Sequence, residues 1–405
     1  MNYAANVYPF RQDSTFLYYF GLDRPGLVGV IDDEDVIYGD DISLDDLVWT
    51  GPVEPLAEQA ARVGVRRVRP LRELSVSNAL TLPGYRPEHT LQGKPSIDLI
   101  RAVVAMRSIK DAAEIAEIEK AVNVTNTMQL AAINGARSWM TEAKVAGMLQ
   151  AIAIGEGGNL AFPTILTTNG QILHNHYGPY PLAQGRMVLC DCGAEGPSHY
   201  SGDLTRTFPV DPQFTSIQRD VYQIVLDAHL AAVSVLKPGI PYKDVHLLAC
   251  KRLFLGLQAL GLTRGDADSA VAAGAHALFF QCGLGHMLGL DTHDMENLGE
   301  AYVGYTETLR KSTQFGLKSL RLGRPLEAGF VITVEPGLYF IPELIESWAA
   351  QGLHKEYINY DKVRMFAGFG GIRIEEDFLI TPDGARLLGE PLPKTILEIE
   401  ALRAG

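Results

Sequence analysis

The sequence predicts an α+β protein of two domains, on the basis of its length and of the order of its helix and strand patterns. The chain has 405 residues, which is too long for one small hydrophobic core. Blocks of amphipathic helix alternate with short strands that suit antiparallel pairing, which favours α+β over a doubly wound parallel sheet. We therefore expect a smaller α/β domain over residues 1–106 and a larger α+β domain over residues 107–405.

The first domain contains two short strands and one aromatic segment. Leu27–Ile31 and Val36–Tyr38 are apolar runs separated by an acidic turn, which is typical of paired strands. The segment YPFRQDSTFLYYFGL, residues 8–22, fits either a helix packed on this sheet or the wall of a substrate entrance. The sequence leaves both interpretations open.

The second domain begins with a predicted helix cap. Ser108 and Asp111 have the spacing of a capping box, and apolar residues follow at helical spacing. Further amphipathic helices are expected at about residues 221–235 and 243–261. Strands are expected between the helices, at Phe162–Thr167, Met187–Cys190, Phe330–Val334 and Ile372–Ile374.

Two aspartates lie on neighbouring strands of this domain. Asp191 ends the apolar run that starts at Met187, and Asp203 begins a run of β-branched residues. A hairpin would bring the two side chains face to face, where their carboxylates would resist ionising together. One or two divalent cations would remove that repulsion.

Three later stretches supply further donors. His286 lies in a glycine-rich run, where a single histidine is more often a core residue than a ligand. Glu335 follows a strongly apolar strand and would be expensive to bury without a partner. Strand alternation places Arg373 and Glu375 on one face. Together these donors include four carboxylates, which suit Mn²⁺, Zn²⁺ or Co²⁺ and favour two ions that share carboxylates over one over-charged ion.

Composition excludes several other classes of protein. The net charge of −13 argues against a nucleic-acid binder. The four cysteines lack disulfide-like spacing, which favours a cytoplasmic location, and Cys190 and Cys192 are interpreted as packing residues beside Asp191. The uncharged stretch Ser269–Leu290 is interrupted by histidines and glycines, so we interpret it as core and active site and not as a membrane span.

Five motifs occur in order along nearly the whole chain and resemble those of the proline-specific metallopeptidases with the pita-bread fold, namely aminopeptidase P and prolidase. They are YPFRQDSTFLYYFGL, GDLTRTFPV, GLGHMLGLDTHD, VITVEPGLYF and GGIRIEEDFLIT. The resemblance implies a pita-bread catalytic domain preceded by a creatinase-type N-terminal domain. It also implies a homodimer or homotetramer formed through the first domain, which is further expected to shape the substrate entrance.

The resemblance assigns the five donors as ligands of two divalent ions, with Mn²⁺ preferred and Zn²⁺ or Co²⁺ as alternatives. In this assignment Asp203 and Glu375 bridge both ions, and Asp191 completes one site. His286 and Glu335 complete the other, and Glu335 is also the expected proton shuttle.

Further residues match positions around the metals of the family. Arg373 is expected to fix carboxylates through charge-assisted hydrogen bonds. His174 and His293 are expected to contact the scissile carbonyl or the charge that develops on it. His176 lies close enough in sequence to His174 that either histidine could make the contact.

Two positions bear on the choice of substrate. Arg321 falls where prolidase places an arginine for the C-terminal carboxylate of a dipeptide, although a surface arginine in a basic stretch is an equally good interpretation. Cys282 stands where many relatives carry a histidine, so the role of that histidine does not transfer to this chain.

The expected function is therefore hydrolysis of the Xaa-Pro bond at the N-terminus of proline-containing dipeptides or short peptides, with prolidase-type cleavage slightly favoured over aminopeptidase P-type cleavage. A metal-free creatinase-like hydrolase is an alternative, which the filled ligand set disfavours. A non-catalytic peptide-binding module is a second alternative, and such a module would not need five ligands and an adjoining arginine.

Overall fold

The protein, described here by a computed structural model of residues 8–77, 79–84 and 95–404, has two compact units. The units are Met1–Arg107 and Ser108–Gly405. Helices and strands are mixed in both, which confirms the predicted α+β class. Among the described residues, no helix is long and apolar enough to cross a bilayer.

The first unit is built around a three-stranded sheet. Its strands are β1 (Val28–Val30), β2 (Val36–Tyr38) and β3 (Arg67–Arg69), and its helices are α1 (Ser14–Phe20), α2 (Leu44–Thr50), α3 (Leu56–Arg62) and α4 (Ile97–Ser108). β1 pairs antiparallel with β2, as the sequence predicts, and β3 pairs parallel with β2. The sequence pattern missed β3 because its two arginines are exposed and leave no apolar run.

The aromatic segment forms α1 and packs on this sheet. The Asp13 side chain caps the helix by accepting a hydrogen bond from the Phe16 amide at 2.9 Å. Phe20 is buried in one apolar cluster with Ile37 of β2 and Leu56 of α3. This packing accounts for the aromatic residues of α1, and a role at a substrate entrance stays a prediction.

The second unit contains the remaining elements. Its helices are α5 (Ala112–Gly135), α6 (Glu142–Gly155), α7 (Ser216–Val233), α8 (Tyr242–Ala259), α9 (Ala267–Ala273), α10 (Glu300–Val303), α11 (Pro342–Gln351), α12 (Tyr360–Val363) and α13 (Ile396–Ala404). Its strands are β4 (Asn159–Leu160), β5 (Ile165–Thr167), β6 (Met187–Cys192), β7 (Ala194–Glu195), β8 (Leu204–Pro209), β9 (Val331–Val334), β10 (Gly337–Tyr339), β11 (Gly371–Arg373), β12 (Glu376–Ile380) and β13 (Ala385–Leu387). The predicted strands and helices of this unit therefore exist, with bounds shifted by a few residues.

The predicted helix cap at Ser108 is wrong. Ser108 is the last residue of α4, and the N-cap of α5 is Asp111, whose carboxylate accepts hydrogen bonds from the amides of Ala113 and Glu114. The Glu114 side chain accepts a hydrogen bond from the Asp111 amide at 2.9 Å and completes a capping box three residues later in the chain. The sequence offers both boxes, and the aspartate forms the better cap because it also places a negative charge at the positive end of the helix.

Two three-stranded antiparallel sheets meet in the second unit. One has the strand order β5-β6-β8 and the other β13-β12-β9. An isolated bridge between Thr205 of β8 and Glu375, just before β12, connects them. The register of β6 and β8 places Asp191 opposite Thr205. The antiparallel pair that the sequence predicts is therefore present, and its long connection contains β7.

Helix α5 is held against the first of these sheets by a buried amide. Gln129 donates hydrogen bonds to the carbonyl of Cys190 at 3.1 Å and to the carbonyl of Leu204 at 2.6 Å. It also contacts the Cys192 sulfur at 3.4 Å. Cys190 and Cys192 are both fully buried, as expected of packing residues.

A buried arginine ties the C-terminal segment to β8. The Arg206 guanidinium pairs with the Glu376 carboxylate at 2.6 Å, and neither side chain is more than 2% exposed. It also donates to the carbonyls of Leu392 and Pro393, each at 2.9 Å, and to the carbonyl of Glu375 at 2.9 Å. This network fixes the backbone on both sides of Glu375.

Arg206→Met is expected to destabilise the protein by about 3–5 kcal/mol, because it leaves the Glu376 carboxylate buried without its main partner. The matched control is Arg386→Met, which removes a pair with Glu119 whose side chains are 46% and 32% exposed. That change is expected to alter the free energy of unfolding by less than about 1 kcal/mol. Urea denaturation of the metal-loaded protein measures both, and equal effects would contradict the structural role of Arg206.

Candidate metal centre

Two aspartates enter the site from the sheet that contains β6 and β8. Asp191 lies within β6, and Asp203 directly precedes β8. The Asp203 amide donates a hydrogen bond to the Asp377 carboxylate at 3.0 Å, which fixes the start of β8 against β12. Both aspartates are buried, with 8% and 4% of their surface exposed.

The two glutamates enter from the second sheet. Glu335 follows β9, and its amide donates to the Leu284 carbonyl at 2.7 Å. Glu375 lies between β11 and β12, and its amide donates to the Thr205 carbonyl at 3.1 Å. Each carboxylate therefore stands at a strand end whose backbone is already hydrogen-bonded to the neighbouring segment.

The loop before β9 carries the histidine. The His286 amide donates to the Thr333 hydroxyl at 3.2 Å. Its Nδ1 lies 3.0 Å from the Met287 carbonyl, which fixes the proton on Nδ1 and leaves Nε2 as the free donor of a lone pair. Gly285 allows this close approach, since a Cβ there would lie only 2.1 Å from the Thr333 carbonyl oxygen.

The donors converge on one place. The His286 Nε2 atom lies 3.4 Å from the Asp203 carboxylate and 3.8 Å from the Glu335 carboxylate. Ligand atoms of Asp203, His286 and Glu375 all lie within 4.8 Å of one another. Asp191 joins them through Arg373, which pairs with Asp191 and lies 4.0 Å from the Glu375 carboxylate. The sequence-predicted ligands thus share one buried centre.

Burial and crowding disfavour the charged forms of these carboxylates. Burial, reinforced by the charge of Asp191, raises the pKa of Asp203 to about 8. Burial also raises the pKa of Glu335 to about 7, although the His286 imidazole opposes the shift. Burial and the charges of Asp203 and Glu335 raise the pKa of Glu375 well above its usual range. Without a cation, the fold therefore favours the protonated forms of these carboxyl groups.

The same atoms fit divalent cations. Oδ1 of Asp191 and Oδ1 of Asp203 are buried and make no hydrogen bond to any described residue, so the lone pairs of both atoms are left unused. Carboxylate oxygens with one imidazole nitrogen form a donor set that hard and borderline ions prefer. A cation here would satisfy the orphaned oxygens and remove the repulsion between the carboxylates.

An arginine and two hydroxyl groups surround the carboxylates. Arg373 is 4% exposed, and its guanidinium donates to Asp191, to the Tyr339 hydroxyl at 2.8 Å and to the Thr205 hydroxyl at 3.1 Å. The Thr205 hydroxyl in turn donates to Glu375 at 2.6 Å. The sequence reasoning anticipated Arg373 but missed Thr205 and Tyr339. The alternation of Asp203 and Thr205 along β8 was the available signal for the threonine.

A pocket opens beside His286. It is lined in part by His293, Glu296 and Arg321. The His293 and His286 rings lie 4.4 Å apart, and Nδ1 of His293 lies 2.6 Å from the Glu296 carboxylate. The Arg321 Nε atom lies 3.3 Å from the same carboxylate. The hydrogen bond with His293, together with Arg321, lowers the pKa of Glu296 to about 2. Glu296 therefore orients both neighbours, and no motif in the sequence pointed to it.

Arg321 lies on the wall of this pocket and is half-buried, with 32% of its side chain exposed. Its positive charge also helps to lower the pKa of His286 and of His293, and it opposes the rise in the pKa of Asp203. The location agrees with the substrate-binding interpretation of the residue better than with that of an unconstrained surface arginine.

The two histidines of the 174–176 stretch differ in their surroundings. The pKa of His174 is lowered by burial and by the charge of Arg373, while the charge of Asp191 opposes the shift. His174 is therefore within electrostatic reach of the centre. The Nδ1 atom of His176 lies 3.4 Å from the Thr164 carbonyl, beside the bridge to Ile165.

Cys282 contacts Tyr339 beside the centre. Its sulfur lies 3.9 Å from the hydroxyl of Tyr339, the residue that also accepts a hydrogen bond from Arg373. Burial and the nearby charge of Glu335 raise the pKa of the thiol to about 12. A neutral thiol thus occupies the position where the family resemblance predicts a histidine.

Comparison with known proteins relates both units to one class. Residues 116–382 match the model of metallopeptidase family M24, and residues 1–83 match that of the aminopeptidase P N-terminal domain. The chain is 30% identical to the Xaa-Pro dipeptidase of Homo sapiens, over 98% of this chain and 85% of the relative. It is 32% identical to a probable Xaa-Pro aminopeptidase of Aspergillus clavatus, over 98% of this chain and 89% of the relative.

Solved structures show the same fold. Aminopeptidase P from Escherichia coli in a low-pH form superposes with a TM-score of 0.80 at 28% identity, covering 100% of this chain and 91% of the other. A zinc-substituted, product-bound form of the same protein gives a TM-score of 0.79 at 28% identity, covering 100% of this chain and 91% of the other. These neighbours confirm the predicted pita-bread type of architecture with a preceding N-terminal domain.

In the metal-free protein, the free energy of unfolding is expected to fall as pH rises. The folded-state pKa values of Asp203 and Glu335 lie above their usual values of 3.8 and 4.5. From about pH 5 to pH 8 the unfolded chain has therefore released protons that the metal-free folded protein still binds, which favours unfolding with increasing pH. Thermal melting of chelator-treated protein over this range measures the slope.

Asp203→Asn is the matched control, since it removes one of the titrating groups and should flatten the slope. Saturating divalent metal should reverse the slope, because the ions bind the deprotonated carboxylates. A metal-free slope that is the same in the wild type and in Asp203→Asn would contradict this account of the centre.

Proposed function

The chain belongs to metallopeptidase family M24, and we propose that it is a dinuclear exopeptidase that hydrolyses the Xaa-Pro bond at the N-terminus of dipeptides or short peptides. The observation that carries the proposal is the convergence of Asp203, His286 and Glu375 within 4.8 Å, with Glu335 and Asp191 beside them. Relatives named Xaa-Pro dipeptidase or Xaa-Pro aminopeptidase support the choice of substrate.

The residues divide into two ligand sets around shared carboxylates. Asp203 and Glu375 would be the ligands shared by both ions, as the family resemblance implies. Asp191 would complete one site, and His286 with Glu335 the other. Bound divalent ions supply a Lewis acid for the scissile carbonyl and lower the pKa of the water that hydrolysis consumes.

Proton transfer is assigned to Glu335. Its side chain is 18% exposed and therefore reaches the edge of the buried centre. A carboxylate at that edge can accept a proton from water at one oxygen and deliver it to the leaving proline nitrogen. Arg373 and Thr205 hold Asp191 and Glu375 in place while this transfer occurs.

Stabilisation of the negative charge that develops on the scissile carbonyl is assigned to histidines. His293 lies against His286 on the pocket wall, and Glu296 holds its ring in position. His174 lies within electrostatic reach of Asp191 and Arg373. Donors at these two positions would stabilise the oxyanion as it develops, and His176 is the alternative to His174.

Asp203→Ala or Glu375→Ala is expected to reduce Xaa-Pro hydrolysis to background, because either change removes a shared ligand of both ions. A discontinuous assay of proline release from Ala-Pro, with Mn²⁺ added, measures the loss. Glu343→Ala, which removes an exposed carboxylate on α11, is the control and should retain full activity. Full activity in either ligand variant would reject the proposal.

Within this class we propose prolidase-type cleavage of dipeptides. Arg321 faces the pocket that contains His293, and only a dipeptide presents its C-terminal carboxylate so close to the scissile bond. Relatives of both kinds match at similar identity, 30% for a dipeptidase and 32% for an aminopeptidase, so the proposal depends on Arg321.

Arg321→Ala is expected to raise KM for Ala-Pro by about 10- to 100-fold, the effect of losing a charged hydrogen bond, and to leave Ala-Pro-Ala much less affected. Lys318→Ala is the matched control, because Lys318 is exposed and lies over the Phe315 ring. Equal losses on both peptides would indicate aminopeptidase P-type action in place of prolidase-type action.

Further properties are proposed with the activity. Mn²⁺ is the proposed native ion, with Zn²⁺ and Co²⁺ as alternatives that the donor set also accommodates. A cytoplasmic location agrees with four free cysteines, of which three are buried. A homodimer or homotetramer formed through the first unit is proposed from the resemblance to family members. The filled ligand set disfavours both a metal-free creatinase-like hydrolase and a non-catalytic peptide-binding module.

A further inference from the structure

A second group of metal-binding side chains lies outside the catalytic centre. His246 and Cys250 are one turn apart on α8, and His276 lies in the short 3₁₀ helix Ala275–Leu278. Their exposed fractions are 0%, 0% and 2%. One ligand atom from each residue lies within 4.8 Å of the other two.

The spacing of these atoms suits a tetrahedral ion. The His246 Nε2 atom lies 3.4 Å from the Cys250 sulfur. Zinc–nitrogen and zinc–sulfur bonds of normal length place neighbouring ligand atoms about 3.5 Å apart. One pair therefore already has the required separation, and the remaining pairs need a closure of roughly 1 Å that side-chain rotation can provide.

The hydrogen bonding of the group is incomplete. A thiol proton donated by Cys250 would satisfy only Nε2 of His246. Nδ1 of His246 and both ring nitrogens of His276 are buried and make no hydrogen bond to any described residue, although the Val271 carbonyl lies near the His276 ring. At least two of these three polar atoms therefore lack a partner in an apolar interior, which is unusual and points to a missing ligand.

The surroundings keep the imidazoles in the form that binds metal. The His246 ring packs 5.4 Å from the Phe280 ring and 6.4 Å from the His276 ring. Burial lowers the pKa of His246 to about 3, so its ring is neutral at physiological pH. Burial also raises the pKa of the Cys250 thiol well above normal, and a bound cation would reverse that shift by taking the thiolate.

We propose that His246, Cys250 and His276 bind one Zn²⁺ or similarly soft divalent ion, at a structural site separate from the peptidase centre. Two imidazoles and a thiolate select zinc over manganese, whereas the oxygen-rich centre accepts both. The ion would connect α8 to the 3₁₀ helix that contains His276, and His276 lies ten residues before His286 in the chain. It would thereby anchor the start of the loop that carries His286, a proposed ligand of the peptidase centre.

Cobalt spectroscopy of the full chain tests this site without relying on activity. Chelator-treated protein is titrated with Co²⁺ and the near-ultraviolet thiolate-to-cobalt charge-transfer band is recorded. The band reports only ions bound to sulfur, and none of the donors assigned to the peptidase centre contains sulfur. We expect a band whose final intensity corresponds to one thiolate-bound Co²⁺ per chain, and that added Zn²⁺ abolishes.

Three variants assign the band. Cys250→Ser should reduce it at least tenfold, whereas Cys282→Ser should keep it, which excludes the cysteine near the centre. Asp203→Asn should also keep it, since that change affects only the peptidase centre. Absence of the band in folded wild-type protein at saturating Co²⁺, or its survival in Cys250→Ser, would overturn the proposal and leave the peptidase proposal unaffected.

Discussion

Repulsion among buried carboxylates is the physical constraint on which the rest of the second unit depends. Asp191, Asp203 and Glu375 are buried with Glu335 beside them, and burial together with neighbouring carboxylates disfavours the ionisation of Asp203, Glu335 and Glu375. Such an arrangement is stable only if the backbone is fixed independently and if cations compensate the charge. The fold supplies the first condition, and the donor atoms are suited to the second.

Backbone hydrogen bonds explain how the fold holds this strained group of charges. The bridge between Thr205 and Glu375 joins the two sheets at the centre itself, and the Arg206 network fixes the chain around Glu375. Arg373 supplies the positive charge inside the cluster and contacts both a carboxylate and the hydroxyl of Tyr339. Positioning is thus carried by neutral and cationic neighbours, which leaves the orphaned carboxylate oxygens free to bind ions.

The ligands could be predicted from the sequence because each one breaks a simple pattern. An acidic residue at the end of an apolar strand, such as Asp191 or Glu335, is costly without a partner and is therefore conspicuous. The exact helix cap could not be predicted, since Ser108 and Asp111 both begin acceptable boxes and the pattern does not show that α4 extends to Ser108. Glu296 and the group around Cys250 were also missed, because one partner of each, Arg321 and His276, lies in another segment that only the tertiary fold brings close.

Two kinds of donor set are thereby separated within one unit, an oxygen-rich centre at the meeting of the sheets and a smaller nitrogen–sulfur group on α8. The central claim is that the first of these is a dinuclear site built from buried carboxylates. The most direct measurement is a calorimetric Mn²⁺ titration of chelator-treated protein near neutral pH, repeated in buffers of different ionisation enthalpy. The account predicts two Mn²⁺ bound per chain, with release of protons from the carboxylates. Binding of fewer than two Mn²⁺ per chain, or binding without proton release, would contradict it.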